Sequence, residues 1–241
     1  MTKSPRGGGE KPGQLSLAFP EREPAFEDLL VTSVNEGAIG VLRQPDSWPF
    51  PVICVVGPRR SGLTALAKAW SREFDGRYVS AKKLSKMKAK KLTALGGGYV
   101  AVDDADKVSR EETLLTLINA AAAEGGHVLL TSRQGAGVWR VESADLQSRL
   151  NALPVLEIDE PDEETFKARL EAAAARYFMK LEADITKYLF PRLELTYEAI
   201  EIFVERLSER VTLTGRAPSV PLAREVLEEL GWADPDQKSL F

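Results

Sequence analysis

The sequence predicts an α/β fold, a parallel sheet with helices on both faces, followed by a small all-helical unit. Three observations carry this. Short apolar runs suited to buried strands alternate with helical patterns up to about residue 158. The apolar spacing is helical only after Pro161. With 44% hydrophobic residues in 241, the chain can bury one large core and a small second one.

Residues 1–24 hold four Pro and four Gly with little periodicity and read as a flexible tail. Residues 25–158 form the α/β unit. Its expected strands are Val52–Val56, Arg77–Ser80, Tyr99–Val102, Val128–Thr131 and Val155–Ile158, with helices at Leu63–Phe74, Arg110–Glu124 and Ala144–Leu150. Residues 159–231 form the helical unit. Its helices are expected near 163–180, 183–189, 197–212 and 220–230, the first opened by Asp162 as N-cap. Residues 232–241 form a second tail.

Composition narrows the chemistry. Lys and Arg number 32 against 36 Asp and Glu, a net charge of −4, so the chain lacks the broad positive field of a general duplex binder. Cys54 and His127 are the only residues of their types, which leaves no disulfide and almost no scope for a Cys/His metal site. His127 opens a strand and reads as structural. The longest apolar run, Phe50–Val56, is too short to span a membrane, and no signal-peptide pattern opens the chain; a cytoplasmic protein is expected.

Gly57-Pro58-Arg59-Arg60-Ser61-Gly62-Leu63-Thr64 follows one strand and opens a helix, the context of a phosphate-binding P-loop. Backbone N–H groups there cradle phosphate, and Thr64 stands where a hydroxyl ligates Mg²⁺. Leu63 replaces the usual lysine, so charge compensation passes to Arg59, Arg60 or a partner's arginine. A βα turn without a ligand would use the same residues. The second motif favours nucleotide. Tyr99–Val102 is an apolar strand ending in Asp103 and Asp104, which delivers Asp103 to a Mg²⁺ shell and Asp104 toward an attacking water.

Taken together, these residues resemble the AAA+ ATPases of the DnaA group and, within it, the Hda-like proteins of regulatory inactivation. The resemblance runs from Gln14 to about Leu230. It places Leu130-Thr131-Ser132-Arg133 in the sensor 1 segment and Asp145-Leu146-Gln147-Ser148-Arg149-Leu150 in box VII, which makes Arg149 the arginine finger. An arginine on a polar helix face is otherwise a solvated or salt-bridged side chain. The pattern departs at Leu63 and at Glu198, which a gapless count puts where a sensor 2 arginine is expected. A C-terminal helix-turn-helix like that of DnaA is not expected after the helical lid.

The resemblance implies a negative regulator of replication initiation. Arg149 would complete the ATPase site of DnaA in trans, and the chain's own nucleotide would be ADP, or ATP, with Mg²⁺. Its own hydrolysis would be weak, and a nucleotide-dependent homo-oligomer is one expected state. Gln14-Leu15-Ser16-Leu17-Ala18-Phe19 resembles a sliding-clamp-binding peptide, with Leu17 and Phe19 as apolar anchors and Gln14 at the rim. Gln237, Leu240 and Phe241 repeat that logic at the other end. Six lysines between Lys82 and Lys91 read as a solvated helix face or, second, a DNA-backbone contact. They carry the rival reading of a DNA-binding initiator or loader. A P-loop kinase of a small molecule needs the lysine that Leu63 replaces.

Overall fold

The computed structural model describes residues 24–232. Phe26–Asp28 forms a 3-10 turn, α1 spans Glu36–Leu42, and Pro45–Ser47 forms a second such turn. Then follow β1 (Val52–Val56), α2 (Leu63–Glu73), β2 (Arg77–Ser80), α3 (Ala81–Leu84), α4 (Ala89–Gly96), β3 (Tyr99–Asp103), α5 (Glu111–Glu124), β4 (His127–Ser132), α6 (Ala144–Ala152) and β5 (Val155–Glu157). Four helices complete the described chain: α7 (Glu163–Ala175), α8 (Ala183–Leu189), α9 (Tyr197–Thr214) and α10 (Val220–Glu229).

The five strands form one parallel sheet in the order β2-β3-β4-β1-β5. Every residue of β1 is buried, as a central strand covered on both faces requires. The two-residue alternation assigns its side chains. Val52, Cys54 and Val56 meet the core made with α3 to α6, while Ile53 and Val55 meet the core made with α1 and α2. Where α4 crosses α5 the helices nearly touch, since a β-carbon on Gly96 would lie 2.4 Å from that of Ala120. His127 packs its ring 5.3 Å from that of Tyr99 and 5.6 Å from that of Trp48, a place in an aromatic cluster.

The last four helices bury their own core, built on Phe166 and Leu170 of α7, Ile200 and Phe203 of α9, and Leu222, Val226 and Leu227 of α10. Asp162 caps α7 by accepting from the Thr165 N–H, as its sequence position predicts.

Two expectations need correction. Helix α7 stops at Ala175 rather than near Lys180. Phe178 takes a left-handed φ of 57° and the chain turns so that Met179 and Leu181 enter the helical core. No glycine marks that stop. Helix α1 lies in a stretch with no assigned element. The lysine-rich segment between β2 and β3, read as a solvated helix face, folds as α3 and α4 with its lysines exposed and Leu84 and Leu92 buried. Both peptides read as clamp-binding, Gln14–Phe19 and Gln237–Phe241, lie outside the described residues. No described helix is long and apolar enough to cross a membrane.

Candidate functional site

A cleft of about 500 Å³ opens at the C-terminal end of β1, between the loop 57–64 and helices α7 and α9. The loop is shaped by its backbone. Gly62 has φ 102°, open to glycine, and the Leu66 N–H bonds back to the Gly62 carbonyl to start α2. No side chain caps that end, so the first N–H groups of α2 have no partner within the helix and face the cleft with its positive dipole end.

The two expected Mg²⁺ ligands meet. The Thr64 hydroxyl donates to Asp103 Oδ2 at 2.9 Å, bringing the start of α2 to the end of β3. Two further hydroxyls fix the same carboxylate. Tyr78 on β2 donates to Oδ2 at 2.8 Å, and Thr131 on β4 donates to Oδ1 at 2.8 Å. Burial and the bond to Asp103 push the Tyr78 phenol above its ordinary pKa. Asp104 leaves this arrangement: with φ 55° it turns to the rim, where its carboxylate lies 2.9 Å from Lys107 Nζ.

The loop arginines meet the helical lid. Arg59 Nε lies 3.1 Å from Glu198 Oε1, and Arg60 Nη1 donates to Glu205 Oε1 at 2.6 Å. Both guanidiniums pair with lid carboxylates through half-exposed contacts and also line the cleft. Leu63 packs beside the α1–α2 core and also lines the cleft. Other cations do enter it: Lys68, one turn beyond Thr64 on α2, together with Arg133, Arg169 and Arg176. Lys68 and Arg169 were not among the expected site residues, although Lys68 is legible in the four-residue spacing from Thr64. Arg169, from the lid, carries no motif signal.

The residues fit a nucleotide with Mg²⁺. The Ser61 hydroxyl oxygen is buried without a hydrogen-bond partner inside the loop, which a phosphate oxygen would supply. Thr64 and Asp103 are hard oxygen donors, and Mg²⁺ ordinarily takes only one or two such protein ligands with phosphate and water. Among the described residues no group of three His, Cys, Asp or Glu forms a self-sufficient metal cage.

Arg149 lies elsewhere. On α6 it pairs with Asp145 at 3.3 Å and borders an apolar notch with Phe50, Val52 and Leu153. Val52 begins β1, so Arg149 borders the end of the sheet opposite the one that carries the chain's own loop.

The sequence matches no family model and no curated protein. The fold does have solved counterparts. Domain III of the Thermotoga maritima replication initiation protein DnaA aligns with a TM-score of 0.71 at 16% identity, over 85% of this chain and 95% of that one. AMPPCP-bound DnaA from Aquifex aeolicus gives 0.68 at 16%, over 87% and 70%. The Thermotoga maritima RuvB Holliday junction branch migration motor gives 0.63 at 17%, over 87% and 72%. The chain shares its fold with these DnaA and RuvB structures.

Proposed function

We propose that this AAA+ fold serves as an activator of a second AAA+ ATPase: the chain binds ADP and Mg²⁺ in its own cleft and presents Arg149 to the nucleotide of DnaA, restraining replication initiation. The observation that carries the reading is the position of Arg149. It is half exposed, it pairs with Asp145 on its own helix, and it stands away from the chain's own cleft. An arginine so placed is positioned to reach the nucleotide of a neighbouring molecule rather than the chain's own. ATP with Mg²⁺ bound to that neighbour supplies the γ-phosphoryl group, water accepts it, and ADP and phosphate are the products. Arg149 then leaves Asp145 and neutralises charge developing on the transferring phosphate, an effect worth about 10³–10⁵ in rate where fingers act in trans.

The chain's own cleft supports binding more than hydrolysis. Thr64 and Asp103 are placed to hold Mg²⁺, and the loop N–H groups to hold phosphate, while Arg59 and Arg60 are already engaged. The peptides Gln14–Phe19 and Gln237–Phe241 would dock the chain on the sliding clamp and raise its local concentration near DNA.

A second reading, a DNA-binding initiator or loader, draws on a pocket lined by Lys82, Lys86, Lys107 and Arg110 beside Ser80, Ser85 and Ser109. The two readings separate in one assay: turnover of DnaA-bound ATP with and without this chain, in the presence of clamp-loaded DNA. Stimulation that needs the clamp supports the activator; clamp-independent, salt-sensitive binding to DNA without stimulation supports the second reading.

A further inference from the structure

Away from the loop 57–64, four cations converge on a second hollow of about 530 Å³, where β2 and β3 end. Lys82 and Lys86 stand on the wall formed by α3 and the turn that ends it. Lys107 and Arg110 stand on the other wall, which runs from the 3-10 turn Ala105–Lys107 to the start of α5. A buried hydroxyl ties the two walls together: Ser85 Oγ donates to the Ala81 carbonyl at 2.9 Å and accepts the Ser109 N–H at 3.0 Å. The backbone that carries the cations is thus fixed before any ligand arrives.

Charge in this hollow is unbalanced. Among the described residues Lys82 and Lys86 pair with no carboxylate, and Arg110 pairs with Glu112, whose side chain is 81% exposed. The acidic residue of the lining is Asp104, 2.9 Å from Lys107 Nζ. Asp104 also lines the first cleft, and its φ of 55° is sparsely populated by residues other than glycine. One constrained carboxylate therefore stands between the two sites.

We propose that this hollow binds a compact phosphate-bearing anion, for which Asp104 is the resident competitor at Lys107. Cations gathered around one concavity suit a small group of high charge density, whereas a nucleic-acid strand is followed by cations along its length. The other lysines between β2 and β3 do not line the hollow. When the anion takes Lys107, Asp104 loses its partner and meets like charge, which turns it toward the cleft it also borders. Occupancy of one site is thereby felt at the other, and the coupling is reciprocal. The assignment is independent of the nucleotide reading. It competes with the DNA-backbone reading of the same lysines, and the test separates them.

Pyrophosphate, added without divalent metal to the full chain, is the probe. Backbone amide shifts followed by NMR resolve position, so binding at residues 57–64 is seen separately. Saturable shifts are expected at residues 80–86 and 107–110. Lys82→Ala with Lys86→Ala, both exposed, should weaken that binding by about tenfold. Asp104→Asn should tighten it by about threefold, a gain that misfolding does not produce, and the gain should vanish in a Lys107→Ala background. Shifts confined to 57–64, or an affinity at 80–110 that the lysine pair leaves unchanged, would overturn the site. A gain from Asp104→Asn that persists without Lys107 would overturn the competition. A single-stranded oligonucleotide without terminal phosphate that binds the same amides more tightly than pyrophosphate, and displaces it, would replace the compact ligand with a strand.

Discussion

The Thr64 hydroxyl and the Asp103 carboxylate lie 2.9 Å apart although 39 residues separate them. Asp103 also accepts from Tyr78 and Thr131, so three hydroxyls from α2, β2 and β4 orient one buried carboxylate. Asp103→Ala leaves all three donors without that acceptor and should cost about 2–4 kcal/mol of stability, read from urea unfolding. Asp103→Asn keeps an acceptor and should fold. Its ADP affinity should no longer respond to EDTA, whereas chelation should weaken ADP binding to the wild type.

Arg149→Ala should leave the melting temperature nearly unchanged, because an exposed i,i+4 pair with Asp145 contributes little. Stimulated turnover of DnaA-bound ATP should fall by about 10³ or more. Turnover equal to that of the wild type would exclude the finger in trans.

Asp162 ties the lid to the segment before α1. Its carboxylate accepts from the Ser33 hydroxyl at 2.6 Å and from the Thr165 N–H at 2.8 Å. These bonds, that from Ser33 foremost, hold its pKa down at about 2 against an ordinary value of 3.8. A depressed folded-state pKa means the stabilisation is complete above the unfolded value and fades as pH falls through the folded one. The difference in melting temperature between wild type and Asp162→Ala should therefore hold from neutral pH to about 4 and shrink toward pH 2.

Cys54 lies in the central strand, and burial pushes its thiol up to about 11, with the Ser132 hydroxyl at 3.9 Å only partly offsetting this. The folded thiol stays neutral where an unfolded one ionises, so stability should decline as pH rises above about 9. Labelling by a thiol reagent at pH 8 should be slow in the native chain and fast in denaturant.

Leu17→Ala with Phe19→Ala removes both apolar anchors of the leading peptide and should weaken capture of the clamp strongly; deleting Gln237–Phe241 should weaken it further. Surface-immobilised clamp measures both, and identical kinetics after the deletion would make the second peptide a chance match.

The parallel sheet, the loop 57–64 and the strand ending in Asp103 are legible in the bare sequence, because each is written in local spacing: apolar runs, glycines at a turn, a carboxylate after a strand. The cap at Asp162 is legible too, being a contact three residues long. The lysine segment reads as a solvated helix face, but the bounds of α3 and α4 were not legible, because their few buried side chains, Ala81, Leu84 and Leu92, are outnumbered by lysines facing solvent. Which groups meet the charges is a matter of long-range packing alone. Arg60 and Glu205 are 145 residues apart, and no local pattern says that a lid helix will turn its acidic face to a loop. Tyr78 reaches Asp103 only because β2 pairs with β3 in parallel register, Ser80 opposite Asp103. Distant partners of this kind are set by how the helical lid closes over the sheet, and that closure depends on the packing of separate cores rather than on any one segment.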